Sequence, residues 1–216
     1  EWALMSNQRA CKAISEGKFK EEIVPVEIKT RKGTQLFEND EHPNPDSSME
    51  SLAQLKPAFK KEGIITAGNA SAINDGGSAL ILMAAEKAEE LGIKPLARIV
   101  ATASASVDPS IMGIGVVPAV RRALKLANMS MDDMELWEMN EAFAAQVIAC
   151  NRELQVDVDK INVLGSGVAL GHPVGMTGAR LILTLMNEMR RTKKQFGCAT
   201  LCAGGGPAMA TIIEAL

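Results

Sequence analysis

Strand-length apolar segments alternate with helical segments through the second half of the chain, and glycine-rich turns join them. This alternation is typical of an α/β layered fold, in which the loops at the strand ends carry the active groups. With 216 residues, the chain is long enough for one large domain or two small ones. The pattern predicts strands over residues 97–105, 135–139, 161–163, 198–202 and 208–213, and helices over residues 118–127, 141–154 and 176–191.

The first part of the chain is less regular. Helical spacing over residues 3–16 stops at a glycine, and residues 23–28 resemble a strand. The polar residues 29–48 predict a surface excursion with little regular structure, and residues 49–59 predict a short helix and turn. Residues 64–91 predict a long helix that is buried on most sides because its first half is mainly apolar.

Composition excludes several classes of protein. A net charge of -3 and an aromatic content of 3% without tyrosine argue against a nucleic-acid partner. The longest apolar run, residues 79–85, is far shorter than the roughly 20 residues of a spanning helix, so no membrane partner is expected. The four cysteines form no Cys-x-x-Cys pair and the start of the chain lacks a secretory pattern, which together predict a reducing, cytoplasmic location.

A first cluster that could carry chemistry begins at Asn140, in the sequence Asn-Glu-Ala-Phe-Ala-Ala-Gln, where a predicted strand gives way to a helix. An asparagine at this position can be an ordinary helix N-cap. It can instead orient a water molecule or a substrate carbonyl. Both interpretations are open from the sequence.

A second cluster spans residues 165–180 and contains His172 between Gly171 and Pro173, ahead of a predicted helix. A helix N-terminus lowers the proton affinity of a nearby imidazole and offers N–H donors, which suits hydrogen bonding to a developing enolate or thioester oxygen. The glycine spacing matches neither a dinucleotide-binding loop nor a phosphate loop. A purely structural turn is the competing interpretation.

A third cluster is Cys202 with the three glycines 204–206, at the end of an apolar strand. A cysteine in such a strand is usually an inert core residue. Three consecutive glycines, however, let a substrate approach the backbone closely and leave amide donors bare for an oxyanion. The cluster is therefore a candidate catalytic turn.

In this order and at these separations, Asn-Glu-Ala-Phe, Gly-His-Pro and Cys-x-Gly-Gly-Gly resemble the thiolase family, within it the acetyl-CoA acetyltransferases. The resemblance implies the layered αβαβα thiolase fold, with residues 1–73 as the remainder of the coenzyme A-binding loop domain, 74–94 as a segment returning to the N-terminal half, and 95–216 as the C-terminal domain. It extends through Asp40-Glu-His-Pro, Leu55-Lys-Pro-Ala-Phe, Thr66-Ala-Gly-Asn-Ala-Ser, Asp108-Pro and Met112-Gly.

The resemblance implies an acyltransferase that condenses two acetyl-CoA molecules to acetoacetyl-CoA or runs the reverse thiolysis. Its substrate is an acyl-CoA, and it implies no metal and no cofactor besides that coenzyme A thioester. His172 would activate a nucleophilic cysteine and bind the thioester oxygen, while Asn140 would hold a water that shares this task. Cys202 would be the acid/base that moves the substrate's α proton, and the N–H of Gly204 would bind the acyl-enzyme oxygen.

Substrate-binding residues follow from the same resemblance. Ser71, Ala67 and Gly68 would form the wall for the pantetheine arm of coenzyme A, and Met112 and Phe143 would line the acyl pocket. Ser166 and Gly167 stand where the family commonly has Gly-Ala.

One family feature is missing from the cysteines. The acyl-carrying cysteine of the family stands in a Cys-Gly-Ser-Gly-like context, and none of the four cysteines here has such neighbours. We therefore expect that the N-terminal half is absent, that the chain is inactive by itself, and that it needs a separate N-terminal half carrying the nucleophilic cysteine. When complete, a homo-oligomer is expected.

Two rivals to an acyltransferase remain open. One is a non-catalytic coenzyme A-binding or assembly subunit of thiolase fold. The other is a ketoacyl synthase of the same fold, which would need a histidine pair around its cysteine; Asn140 and Cys202 at those places favour a thiolase.

Overall fold

The computed structural model describes residues 1–216. No helix is long and apolar enough to cross a membrane. The helices are α1 (Trp2–Ser15), α2 (Met49–Ala53), α3 (Ala85–Glu90), α4 (Val116–Ala127), α5 (Ala144–Leu154), α6 (Gly167–Leu170) and α7 (Thr177–Thr192), with 3-10 turns at Pro109–Gly115 and Val158–Lys160. The strands are β1 (Val26–Thr30), β2 (Gly33–Phe37), β3 (Ala97–Ser106), β4 (Leu136–Met139), β5 (Phe196–Cys202) and β6 (Pro207–Ala215).

A four-stranded sheet of order β3-β6-β5-β4 organises the second half of the chain. Helices cover both of its faces: α4 and α5 contribute to the larger apolar cluster, and α7 to a separate one. In α7 the buried Leu181, Leu185 and Met189 recur every four residues, which is the spacing of one helix face. The predicted α/β layered fold is confirmed.

The register of the sheet sets where the candidate residues meet. β4 runs parallel to β5, with Met139 opposite Thr200, whereas β6 runs antiparallel to β5, with Ala208 opposite Cys202. The carboxyl ends of β4 and β5 therefore lie at the same edge of the sheet. Asn140, which follows β4, and Cys202, which ends β5, are both placed at this edge.

Three predictions for the rest of the chain are wrong. Residues 64–91 are not one helix: only α3 is helical, and most side chains of residues 71–84 are exposed, so the packing that stabilises helices in proteins is missing there. The polar residues 29–48 are largely exposed, as predicted, but they are not without regular structure, because they include the end of β1 and all of β2, which pair as a hairpin. Residues 161–163 contribute a single bridge to Trp137 instead of a strand.

Candidate active site

Asn140 and His172 are in direct contact at the edge of the sheet. The Nδ2 atom of Asn140 lies 3.2 Å from Nε2 of His172. The Nδ1 atom of the same ring lies 2.7 Å from Oγ1 of Thr177, and that hydroxyl donates its proton to the carbonyl of Pro173. Because the hydroxyl has only one proton, Nδ1 must carry the ring proton and donate it to Thr177. The lone pair of Nε2 consequently faces the Asn140 amide.

The electrostatic surroundings favour this neutral imidazole. Burial, assisted by the positive charge of Arg180, lowers the pKa of His172 below its ordinary value. At neutral pH the ring therefore presents a basic nitrogen instead of an imidazolium.

Asn140 is not a helix cap. The N-cap of α5 is Phe143, whereas the Asn140 side chain is completely buried and its backbone N–H donates to the carbonyl of Thr200 at 2.9 Å. Its Oδ1 atom is buried and has no hydrogen-bond partner within the protein. The N-cap interpretation is therefore wrong, and Oδ1 is an acceptor that the protein itself leaves unsatisfied.

A buried carboxylate fixes the end of β4. Glu141 accepts from Trp2 Nε1 and Asn162 Nδ2, each at 2.9 Å, and from Ser6 Oγ at 2.6 Å and the Val168 backbone N–H at 3.1 Å. Four donors from three separate segments, α1, the region around Asn162 and α6, converge on this one side chain. The sequence interpretation missed this network, although a glutamate inside an otherwise apolar motif was a signal for it.

Cys202 is buried, with 6% of its surface exposed, and burial raises the pKa of its thiol. It therefore enters any reaction at neutral pH as a thiol. In the following turn the N–H groups of Ala203 and Gly206 bond to Pro207 and Ala203 carbonyls, whereas the N–H of Gly204 has no partner within the chain. A β carbon on Gly204 would meet nothing within 4 Å, so the space beside this donor is open.

The other cysteines do not form a second site. All four are free; burial raises the pKa of Cys150 to about 11 and that of Cys198 to about 12. The Cys150 thiol lies 3.2 Å from the carbonyl of Gly113, and the residue belongs to the main apolar cluster. No group of three or more His, Cys, Asp or Glu side chains is arranged to hold a metal ion.

The predicted substrate wall lies directly against the site. The backbone N–H of Ser71 donates to the carbonyl of Ala142 at 3.0 Å, and the backbone N–H of His172 donates to the carbonyl of Ala72 at 3.1 Å. A β carbon on Gly68 would lie 2.5 Å from the ends of the Leu52 and Leu55 side chains, so a larger residue there would require both leucines to move.

The remaining predicted contacts are near the same segment. Phe143 is bridged to Ala70 and stacks edge-on against Phe59, with ring centroids 6.1 Å apart. Met112 is half-buried against the main apolar cluster, and Ala67 is exposed. The roles of these residues in binding stay predictions.

Comparison with known families accounts for both parts of the chain. The family model described as "Thiolase, C-terminal domain" matches residues 93–215, and "Thiolase, N-terminal domain" matches residues 1–86. The Escherichia coli K12 acetyl-CoA acetyltransferase is 50% identical over 100% of this chain and 55% of its own length. The β-ketoadipyl-CoA thiolase of Pseudomonas aeruginosa is 51% identical over 99% of this chain and 54% of its own length.

Solved structures agree with this. The crystal structure of the Bacillus anthracis acetyl-CoA acetyltransferase is similar with a TM-score of 0.97 and 53% identity, over 99% of this chain and 54% of that one. The chain spans about half the length of the curated relatives that it matches.

The match of the N-terminal family model corrects three predictions. The expectation that the N-terminal half is absent is wrong, because residues 1–86 match the model of that domain. The expectations that the chain is inactive by itself and that it needs a separate N-terminal half as a partner are wrong for the same reason. They rested on the neighbours of four cysteines, which is a narrower criterion than the residue pattern of a whole domain. The division at residues 73 and 94 stays a prediction.

Proposed function

The chain belongs to the thiolase family, and from this we propose that its protein is an acetyl-CoA acetyltransferase, which joins two acetyl-CoA molecules into acetoacetyl-CoA or cleaves acetoacetyl-CoA in the reverse direction. The observation that carries the proposal is the 3.2 Å contact between Asn140 and His172, at the same sheet edge as Cys202. Three motifs that are separate in sequence supply one base, one acid/base thiol and several oxyanion donors. These are the groups that a Claisen condensation requires.

Cys202 acts twice in the proposed cycle. The acetyl group of a first acetyl-CoA passes to the sulfur of a nucleophilic cysteine thiolate, and Cys202 as a thiol gives its proton to the coenzyme A thiolate that departs. The resulting Cys202 thiolate then takes an α proton from a second acetyl-CoA. The enolate carbon attacks the acyl-cysteine carbonyl, a carbon–carbon bond forms, and the expelled cysteine thiolate is ready for the next cycle. The raised pKa of the Cys202 thiol supports the first of these steps, since the proton is present at neutral pH.

Oxygen charge is stabilised from two sides in this proposal. Once Nε2 of His172 has taken the proton of the nucleophilic thiol, it donates to the oxygen of the enolate together with a water held by Asn140, and the N–H of Gly204 donates to the oxygen of the acyl thioester. The unpartnered Asn140 Oδ1 and Gly204 N–H support these assignments, because preorganised groups need no rearrangement when charge develops. The coenzyme A thioester is the substrate, and no further cofactor is proposed.

Substrate selection is proposed to lie in the segments that touch the site. Ser71, Ala67 and Gly68 bind the pantetheine arm, while Met112 and Phe143 limit the acyl group to acetyl or acetoacetyl. We also propose a cytoplasmic location, which the four free cysteines support, and a homo-oligomeric state.

The test is thiolysis of acetoacetyl-CoA by the protein and by Cys202→Ala, with Cys11→Ala as the matched cysteine control. Loss of a general acid/base lowers kcat by about 100-fold or more; the control, whose cysteine is outside the site, retains wild-type kcat. Incorporation of solvent deuterium into the methyl group of acetyl-CoA reports the Cys202 step alone. Cys202→Ala with kcat within about twofold of wild type would contradict the proposal, whereas coenzyme A binding without turnover by the wild type would support a non-catalytic subunit.

A further inference from the structure

Arg180 is a nearly buried residue that bonds to the two segments carrying Asn140 and His172. The Arg180 side chain, in the first part of α7, is 12% exposed. Its two terminal nitrogens contact different segments: Nη1 donates to Oε2 of Glu138 and Nη2 donates to Oγ of Ser166, each at 3.0 Å. A planar guanidinium that bonds two fixed acceptors has little freedom to move.

Both partners of Arg180 lead directly to the site. Glu138 is in β4, two residues before Asn140. Ser166 is the N-cap of α6, which ends immediately before Gly171 and His172. Gly167, next to Ser166, packs against the Asn140 amide so closely that an added β carbon would lie 2.9 Å from Oδ1. Arg180 therefore connects the segment carrying His172 to the strand carrying Asn140.

The Ser166 hydroxyl supplies one half of this connection. Ser166 is fully buried, so its hydroxyl has no contact with solvent in place of Arg180. Its backbone N–H is also bound, by Ser6 Oγ at 3.3 Å. Arg180 would have only the strand carboxylate as its partner if this hydroxyl were absent.

The charge of Arg180 acts on His172 as well. The ionisable groups that interact with Arg180 are Glu138 in β4, Glu22 after α1 and Asp40 after β2, and Glu141 interacts in turn with Glu138. Burial raises the pKa of Glu138 to about 8 and raises that of Glu22, despite the opposing charge of Arg180. Because burial raises the pKa of Glu138 so far, this group cancels less of the arginine charge than an exposed carboxylate would.

We infer that Arg180 is a positioning residue for His172: it fastens the start of α6 to β4 through Ser166 and Glu138, and its fixed charge opposes a second positive charge on the imidazole. The role of His172 in turnover rests on the proposed function, whereas the effect of Arg180 on the position and pKa of the imidazole does not. An imidazole that stays neutral and in register with Asn140 is ready to bind or accept a proton across the working pH range.

The direct test is NMR titration of the imidazoles, which needs no catalytic turnover. The chain has only two histidines, so His42 serves as an internal reference for His172. In Arg180→Gln we expect the pKa of His172 to rise by about 0.5 to 1 unit, since one nearby positive charge is removed. Arg180→Lys retains the charge, and Arg190→Gln changes an exposed arginine of the same helix; both should leave the His172 pKa within about 0.2 unit of wild type.

Kinetics supply the second readout. In Arg180→Gln, the acid limb of the pH profile of kcat/KM should shift to higher pH by the same amount as the His172 pKa measured by NMR. Arg180→Lys, which cannot hold both acceptors in one plane, should lower kcat by about tenfold with KM nearly unchanged, because it loosens the geometry without touching coenzyme A. Wild-type protein without turnover would contradict the proposed function but leave the NMR test intact.

Folding is checked by circular dichroism. If Arg180→Gln does not fold, Ser166→Asp replaces it, because the new carboxylate keeps the hydrogen bond and compensates the arginine charge; the same upward shift is expected. A His172 pKa that stays in place or falls in the folded variant overturns the inference.

Discussion

Replacing Glu141 by glutamine tests whether this carboxylate holds the end of β4 in place. Glutamine keeps one acceptor oxygen, but its amide group can only donate. The Asn162 side chain cannot flip to accept a hydrogen bond from the new amide. Its Oδ1 already accepts from the N–H of Met139, and its Nδ2 donates to the carbonyl of Met139, both at 2.8 Å. The best arrangement therefore points the new amide at Ser6, whose hydroxyl can rotate, and at the N–H of Val168, which cannot.

The magnitude follows from these contacts. An unsatisfied buried N–H costs about 1–3 kcal/mol, and the two bonds from Trp2 and Asn162 lose about 1 kcal/mol each when the acceptor loses its charge. The smaller desolvation cost of a neutral side chain offsets part of this. We expect the free energy of unfolding to fall by about 2–4 kcal/mol.

Urea unfolding followed by tryptophan fluorescence measures this change, since Trp2 and Trp137 are both buried. Glu21→Gln is the matched control: it is exposed and should stay within about 0.5 kcal/mol of wild type. The reasoning is refuted if Glu141→Gln is as stable as this control.

Three further changes test other parts of the molecule. Gly206→Ala should lose about 2 kcal/mol or more in urea unfolding, because φ is +103° and the new methyl group collides with the carbonyl of Val107, whereas Gly204→Ala should change stability by less than about 0.5 kcal/mol; equal stability of the two variants would contradict this. Ser166→Ala should cost about 1–2 kcal/mol, measured in the same way, since Arg180 loses a buried acceptor; an unchanged midpoint would show that the bond is unimportant. Glu138 has a folded-state pKa of about 8, above its ordinary 4.5, so the folded protein binds the extra proton and stability should fall as pH rises from about 5 to 8; Glu138→Gln should flatten this slope in thermal unfolding, and an unaltered slope would refute the assignment.

Local pattern in the sequence was enough for the fold class and for most of the second half of the chain. The predicted strand over residues 97–105 is β3, and the predicted helix over residues 176–191 is α7 to within one residue at each end. Both have the strong periodicity of an element with one buried face, which is encoded by neighbouring residues. The three motifs were also visible, because glycine, histidine and cysteine are unusual in those settings.

Pairing between distant segments was not accessible in this way. Whether Asn140 capped a helix or met a substrate depended on its contact with His172, which is 32 residues away in sequence. The carboxylate of Glu141 is bound by Trp2, 139 residues earlier, and no local pattern predicts such a partner.

The long helix expected over residues 64–91 failed for a related reason: apolar composition predicts burial, but a helix forms only where a surface packs against it. The sequence by itself therefore determined which segments form strands and helices and which residues could carry chemistry, because these depend on short-range propensity and side-chain type. Only the tertiary structure decided which of those residues meet, since strand register and helix packing bring together donors and acceptors that are remote along the chain.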